Sequence, residues 1–290
     1  MVTNMQALQV RLRQRFGRFS LYQRLRTSPL CDLYRRLSSN GDVIQRRAAD
    51  LRFYRGVLRG LRKGDLIFDI GANGGDKVDV FLRLGARVVA VEPDETNQEI
   101  LSQRFLRLRL IKQPVSIVGK AVSDSERKEV MWIDKAGSAM NTLSRKWVDT
   151  LRSDAGRFGT TLEFGREQHT ETTTLDKLSA MFGRPFYAKI DVEGHESAVL
   201  RGLHQPIPYI SFEVNLPEFR QEGLECIERV NEIDANTRFN YTTDCERGLA
   251  LEEWVGRSDF VAVFSQITAP SVEVFSATPL PAGHKALRGE

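Results

Sequence analysis

The chain has 290 residues, with 41% apolar and 28% charged side chains and a formal net charge of +4. That size suits one large domain with an appendage, and the composition is that of an ordinary soluble globular protein. No apolar run reaches the length of about 18 residues that a membrane-spanning helix needs. Arginines from Arg11 onward interrupt every apolar stretch near the start, so no signal peptide is expected. Cys31, Cys226 and Cys245 stand apart with no CxxC spacing, which argues for reduced thiols and a cytoplasmic location and against a thiolate zinc site.

The charge is divided unevenly. Residues 1–63 carry 15 Lys or Arg against three Asp, a net of +12, and the remainder carries −8. A basic head on an acidic body suggests an anionic partner such as a membrane surface, and so a peripheral membrane association, or else a cap pairing with the body. The head, residues 1–60, reads as a helical extension: Met5 to Phe16 is helix-like, and a better helix follows Ser39-Asn40-Gly41-Asp42. Strand and helix then alternate. LIFDI (66–70) is followed by GANGG and a helix from Val78 to Leu84. RVVAVEP (87–93) precedes a helix from Glu95 to Arg104. VSIVGKAVS (115–123) reads as one strand and EVMWI (129–133) as an edge strand. Residues 134–170 lose periodicity, as expected of a substrate-side insertion. Helix 173–181, strand 185–191, helix 195–203, strand 208–214, helix 218–233 and strands 239–243 and 259–265 complete the domain, 61–268. Residues 269–290 read as a flexible tail. The alternation implies a doubly wound, mostly parallel α/β sheet.

In such sheets ligands sit beyond the carboxyl ends of the strands. Gly71-Ala72-Asn73-Gly74-Gly75 lies there after the first strand, and Glu92 ends the second, where an acid can accept ribose hydroxyls. Asp69, just before the loop, would repel a pyrophosphate but suits the ammonium and sulfonium of S-adenosylmethionine. The segments FDIGANGG, VEPD, AVSD, TTTLDKL and KIDVEGHESAVLRG, in this order over about residues 60–265, resemble the FkbM family of S-adenosylmethionine-dependent methyltransferases. The resemblance implies a class I methyltransferase (Rossmann-like) fold with a seven-stranded sheet, and O-methylation of hydroxyls, often on sugars or other secondary metabolites. By motif, Asp69, Gly71, Asn73 and Gly75 would surround the methionine portion and Glu92 the ribose. Ala121, Val122 and Asp124 would lie against the adenine. The head and the insertion match nothing in the family.

Transfer of a methyl group requires an acceptor oxygen held roughly 3 Å from the methyl carbon, away from water, and a group to take its proton. Strand alternation puts Lys189 and Asp191 on one face at the end of the fourth sheet strand. Asp191 is assigned as partner of the acceptor hydroxyl, as orienter or base, Lys189 as the charge that keeps it ionised or lowers the alcohol's pKa, and His195 as a sharer of the proton. Glu193 and Gly194 turn the chain and Glu196 favours the helix start. Glu193, Glu213, Asn215 and Asn141 are assigned to the acceptor, a glycan, glycolipid or other small molecule. Asp191, Glu193 and His195 with Glu213 offer oxygen-rich ligands for Mg²⁺, but alternation disfavours their convergence and no metal is assigned. A nucleic-acid 2′-O-methyltransferase is the rival enzyme, opposed by the acidic body; a non-catalytic protein keeping the fold as a scaffold is the rival from another class.

Overall fold

The computed structural model describes residues 41–111, 114–154 and 162–278. The helix expected at Met5 to Phe16, the rest of the basic head before residue 41 and the last twelve residues lie outside them. In chain order the elements are α1 (Gly41–Val57), β1 (Leu66–Ile70), α2 (Asp76–Arg83), β2 (Arg87–Val91), α3 (Glu95–Arg104), α4 (Leu106–Ile111), β3 (Val115–Val118), β4 (Ala121–Val122), β5 (Lys128–Ile133), α5 (Arg145–Ser153), β6 (Arg166–Thr173), α6 (Leu175–Phe182), β7 (Tyr187–Ile190), α7 (Glu196–Arg201), β8 (Tyr209–Asn215), α8 (Arg220–Ile233), β9 (Arg238–Thr242), α9 (Arg257–Ser265) and β10 (Ser271–Ala277). Among the described residues no helix is long and apolar enough to cross a membrane.

Seven strands form one sheet in the order β3-β2-β1-β7-β8-β10-β9. The first five run parallel, and β10 is antiparallel to both β8 and β9. The expected doubly wound sheet is therefore present. LIFDI is buried throughout because both of its faces are covered. Phe68, Ile70, Ala188, Ile190 and Phe212 pack with Trp147, Val199, Leu200 and Ile227 on one side. Ile67, Val88, Ala90 and Tyr187 pack with Tyr54, Val78, Phe81 and Leu101 on the other. The strand order reverses direction between β1 and β7, and a cleft opens there at their carboxyl ends.

Several boundaries differ from expectation. The 115–123 stretch breaks at Gly119-Lys120 into β3 and β4, and β4 joins a second sheet of order β4-β6-β5 that also takes up the expected edge strand at 129–133. Residues 259–265 form α9, not a strand, because Phe260 and Phe264 stand one helical turn apart and both bury; Phe260 stacks on Phe239 at 5.4 Å. The closing strand is β10, inside the region expected as a tail: Val272 and Val274 fill one face of it, and Phe275 the other. Nor is α1 an appendage. Tyr54 meets Phe81 edge-on at 5.1 Å, Phe53 meets Phe275 at 5.5 Å, and Lys77–Asp50 and Arg47–Asp79 pairs of 2.8 and 3.1 Å tie α1 to α2. A domain start at residue 61 would cut through this core. The 134–170 insertion also holds α5 and the first part of β6.

Candidate active site

The end of β1 is built around a close approach. Gly71 has φ +82°, and a Cβ there would lie 1.8 Å from the Asp191 carbonyl oxygen, so only glycine lets β1 and β7 meet. Asp191 N donates to Ile70 O at 2.9 Å across the same junction. Gly75, also at positive φ, serves packing: a Cβ would strike Leu101 and Phe105. Asn73 at φ +45° turns its N–H onto Glu92 Oε2 at 2.7 Å, and Glu92 Oε1 accepts from Asp94 N at 2.9 Å. Burial raises the Glu92 carboxyl to about 7 despite these bonds.

Asp94 works in two directions. Its Oδ1 caps α3 by accepting from Thr96 N and Asn97 N. Its Oδ2 accepts from Gly137 N at 3.1 Å and Asn141 Nδ2 at 2.8 Å. The inserted segment is thus fastened beside Glu92, and Asn141, expected to contact an acceptor, spends its amide on that fastening.

The end of β7 carries the acids. Lys189 is buried and its Nζ lies 2.6 Å from Asp191 Oδ2. Burial disfavours the ammonium, but Asp191, Glu273 and Asp69 outweigh it and raise Lys189. Burial likewise works against the Asp191 carboxylate, and Lys189 outweighs that and lowers it. Ligand-reaching oxygens of Asp191, Glu193 and Glu213 fall within 4.8 Å of one another. Glu213, held by Ser271 Oγ, is raised to about 8 by burial and then by the Asp191 charge. Glu193 is raised by burial and by Asp191 and Glu213; its φ is +55°, its carbonyl accepts from Thr142 Oγ1 at 2.7 Å, and its Oε2 accepts from Trp147 Nε1 at 2.9 Å. These environments separate one ionised carboxylate from two that hold protons more tightly, which is how acid and base roles are divided. The Lys189 ammonium already supplies the positive charge that a cation would bring. Glu196 accepts from Val192 N and Gly194 N, so it shapes the turn as expected.

Between these ends lies a cleft lined by Ile70, Gly71 and Asn73, by Glu92 and Pro93, by Lys120 to Val122, by Ser138, Ala139 and Asn141 to Leu143, and by Asp191 to Glu193 with His195. Of the residues assigned from sequence, Gly71, Asn73, Glu92, Ala121, Val122, Asn141, Asp191, Glu193 and His195 line it. The others fall outside the lining. Asp69 is buried behind it, with Oδ2 unpartnered and its carboxyl raised to about 7 by burial, in register with the buried Lys189. Asp124 pairs with Arg127 on the surface. Lys189 and Glu213 support Asp191 from behind, and Asn215 is buried at the end of β8. His195 turns away from the acids: its Nε2 pairs with Ser123 Oγ at 3.0 Å, and burial lowers its affinity for a proton. Trp132 lies under Arg145, whose guanidinium is 4.7 Å from its ring. Thr142, Asp94 and Trp147 carry roles the sequence did not reveal; only Asp94, as a helix cap before ETNQ, left a local signal.

None of the curated proteins compared with the chain matches it. Solved structures align with low identity. Methyltransferase FkbM from Methylobacillus flagellatus KT is 14% identical with a TM-score of 0.49, and the alignment covers 79% of this chain and 47% of that one. A precorrin-6Y C5,15-methyltransferase from Geobacter metallireducens GS-15 is 12% identical with a TM-score of 0.37, covering 80% and 88% of the two chains. A TehB-like SAM-dependent methyltransferase from Corynebacterium glutamicum is 8% identical with a TM-score of 0.39, covering 80% and 88%. The chain thus spans under half of the first of these proteins. A family profile described as a Methyltransferase FkbM domain matches residues 69–241, which hold the end of β1, the glycine turn and the cleft's acids Glu92, Asp191 and Glu193. The chain belongs to the FkbM methyltransferase family.

Proposed function

We propose that the protein is an S-adenosylmethionine-dependent O-methyltransferase acting on a hydroxyl of a sugar, glycolipid or natural product. The observation that carries this is a single cleft at the β1–β7 switch point with a nucleoside-type end, Glu92 beside Ala121 and Val122, and an acidic end, Asp191 and Glu193. Family membership supports the donor and the type of reaction. The residues present fit the donor: Gly71 and Asn73 line the cleft, Glu92 is a buried acceptor at the ribose position, and Ala121 and Val122 offer small apolar side chains to an aromatic base. When bound, S-adenosylmethionine supplies the electrophile: the acceptor oxygen bonds to the methyl carbon as the carbon–sulfur bond breaks, and the sulfur keeps the electron pair. Asp191, kept ionised by Lys189, accepts the hydrogen bond of the incoming hydroxyl and orients it. Glu193 in its ionised form takes the proton, its raised proton affinity making it a stronger base than an ordinary carboxylate. Residues 64–290 carry a net charge of −8, which weighs against a phosphate-rich nucleic-acid acceptor.

Titration with S-adenosylmethionine comes first; absence of binding would leave the fold as a scaffold. Labelled donor is then offered to glycan, lipid and RNA pools. Asp191→Asn should lower transfer by roughly a hundredfold or more with donor affinity nearly unchanged, and undiminished turnover would refute the assignment.

A further inference from the structure

The inserted segment sends one residue to the reacting end of the cleft from behind its wall. Trp147, in the first turn of α5, is fully buried, and its indole N–H donates to Glu193 Oε2 at 2.9 Å. Its surroundings fix both partners. Ser144 Oγ accepts from Trp147 N at 3.2 Å and caps α5. The Trp147 ring stands edge-on to Phe219 with centroids 5.5 Å apart. The same phenylalanine closes on the next residue of the turn, where a Cβ on Gly194 would lie 2.7 Å from it. Thr142 Oγ1 holds the Glu193 carbonyl, and Glu193 keeps a left-handed backbone that non-glycine residues hold only where the surroundings determine it.

We propose that Trp147 is a positioning residue for methyl transfer: its indole N–H fixes one carboxyl oxygen of Glu193 and leaves the other for the acceptor's hydroxyl proton. This rests on the proposed role of Glu193. Indole nitrogen is a donor only and does not titrate, so it holds the carboxyl in one orientation at every pH. It also favours the ionised form, the form that takes a proton. The groups facing Glu193 are otherwise acids: Asp191 and Glu196 from its own turn and Glu213 from β8, each raising its proton affinity, with the Trp147 bond opposing them. Lys189 is engaged by Asp191, and Lys146, beside Trp147, by Glu222.

Donor binding by the native chain is measured before any variant, and its failure refutes the methyl-transfer function itself. The positioning role is read from the ¹⁵N-labelled full chain, whose three tryptophans give three indole N–H signals. The signal missing from Trp147→Phe should titrate above the usual carboxylate range, as Glu193 takes up its proton, and stop doing so in Glu193→Gln. If Trp147→Phe does not fold, Trp132→Phe and Trp254→Phe identify that signal by elimination. A Trp147 signal that stays flat, or titrates equally in Glu193→Gln, overturns the proposal. With an acceptor in hand, Trp147→Phe should lower kcat at neutral pH roughly tenfold or more, recover toward the native rate in alkali, and leave donor affinity within about twofold. Loss by the same factor at every pH would mark packing alone and overturn it too.

Discussion

Replacing Lys189 with methionine removes the positive charge from a sheet face that also holds Asp69, Asp191, Glu213 and Glu273. Methionine keeps the length and the apolar stem, so the perturbation is one of charge. Lys189 is 5% exposed and its ammonium lies 2.6 Å from Asp191 Oδ2. Removing one partner of a buried pair costs about 3–5 kcal/mol. The Asp191 side chain keeps 32% exposure, and water reaching it places the expected loss at the lower end, about 3 kcal/mol. That is a large share of the 5–15 kcal/mol (roughly) of a typical domain, and urea unfolding measures it directly. The pH dependence follows from the signs. Lys189 lowers the Asp191 carboxyl, so the pair stabilises the native chain at neutral pH and the gain is lost as the pH falls through that lowered pKa. Without Lys189 burial raises the same carboxyl, and acid relieves the variant. The deficit is therefore greatest at neutral pH and shrinks in acid, and adding Asp191→Asn restores part of it. A loss below about 1 kcal/mol, the range of an exposed pair, or a deficit independent of pH would refute the account.

Gly71→Ala should destabilise by about 3 kcal/mol, because the new methyl group meets the Asp191 carbonyl at 1.8 Å from a positive-φ position; a loss under about 1 kcal/mol in urea would show that the strand ends do not touch. Glu213 is raised from 4.5 to about 8, so the folded chain holds a proton that the unfolded chain releases, and this contribution falls as the pH rises through that window. Glu213→Gln should gain stability relative to the native chain over the same interval, and parallel stability curves would contradict the assignment. Methyl transfer should survive EDTA, since the Lys189 ammonium neutralises Asp191; restoration of lost activity by Mg²⁺ would replace the acid–base arrangement with a metal.

The five parallel strands of the large sheet were readable because buried parallel strands are continuous apolar runs bounded by glycine or charge, as LIFDI and RVVAV are. The glycine turn, Glu92 and Asp191 were readable because each falls at a strand's carboxyl end. What failed had a physical cause. The run DFVAVFS satisfies strand propensity and helical spacing alike, and the partner Phe239 decides between them. SVEVFSA sits among Pro, Ser and Ala, and its partners β8 and β9 are far away in sequence. Asp69 looks like a cleft residue from its place before the glycines, but it stands one residue short of the strand's end, in register with the buried Lys189. His195 follows Asp191 by four residues, yet the left-handed turn at Glu193 and Gly194 carries it toward Ser123. Trp147 meets Glu193 across 46 residues, a contact with no local signature.

β10 lies between β8 and β9 although it follows both in the chain. On the ribosome, β8 and β9 therefore each wait with a bare edge until Ala277 has emerged, and such edges invite pairing with other nascent chains. A product stopped at residue 268 would retain the parallel strands and all the cleft's lining, yet lack the Ser271 hydroxyl on Glu213 and the strand that joins β9 to β8. Its donor site would be complete in sequence and unprotected in the cell, so abundance would fail before chemistry did.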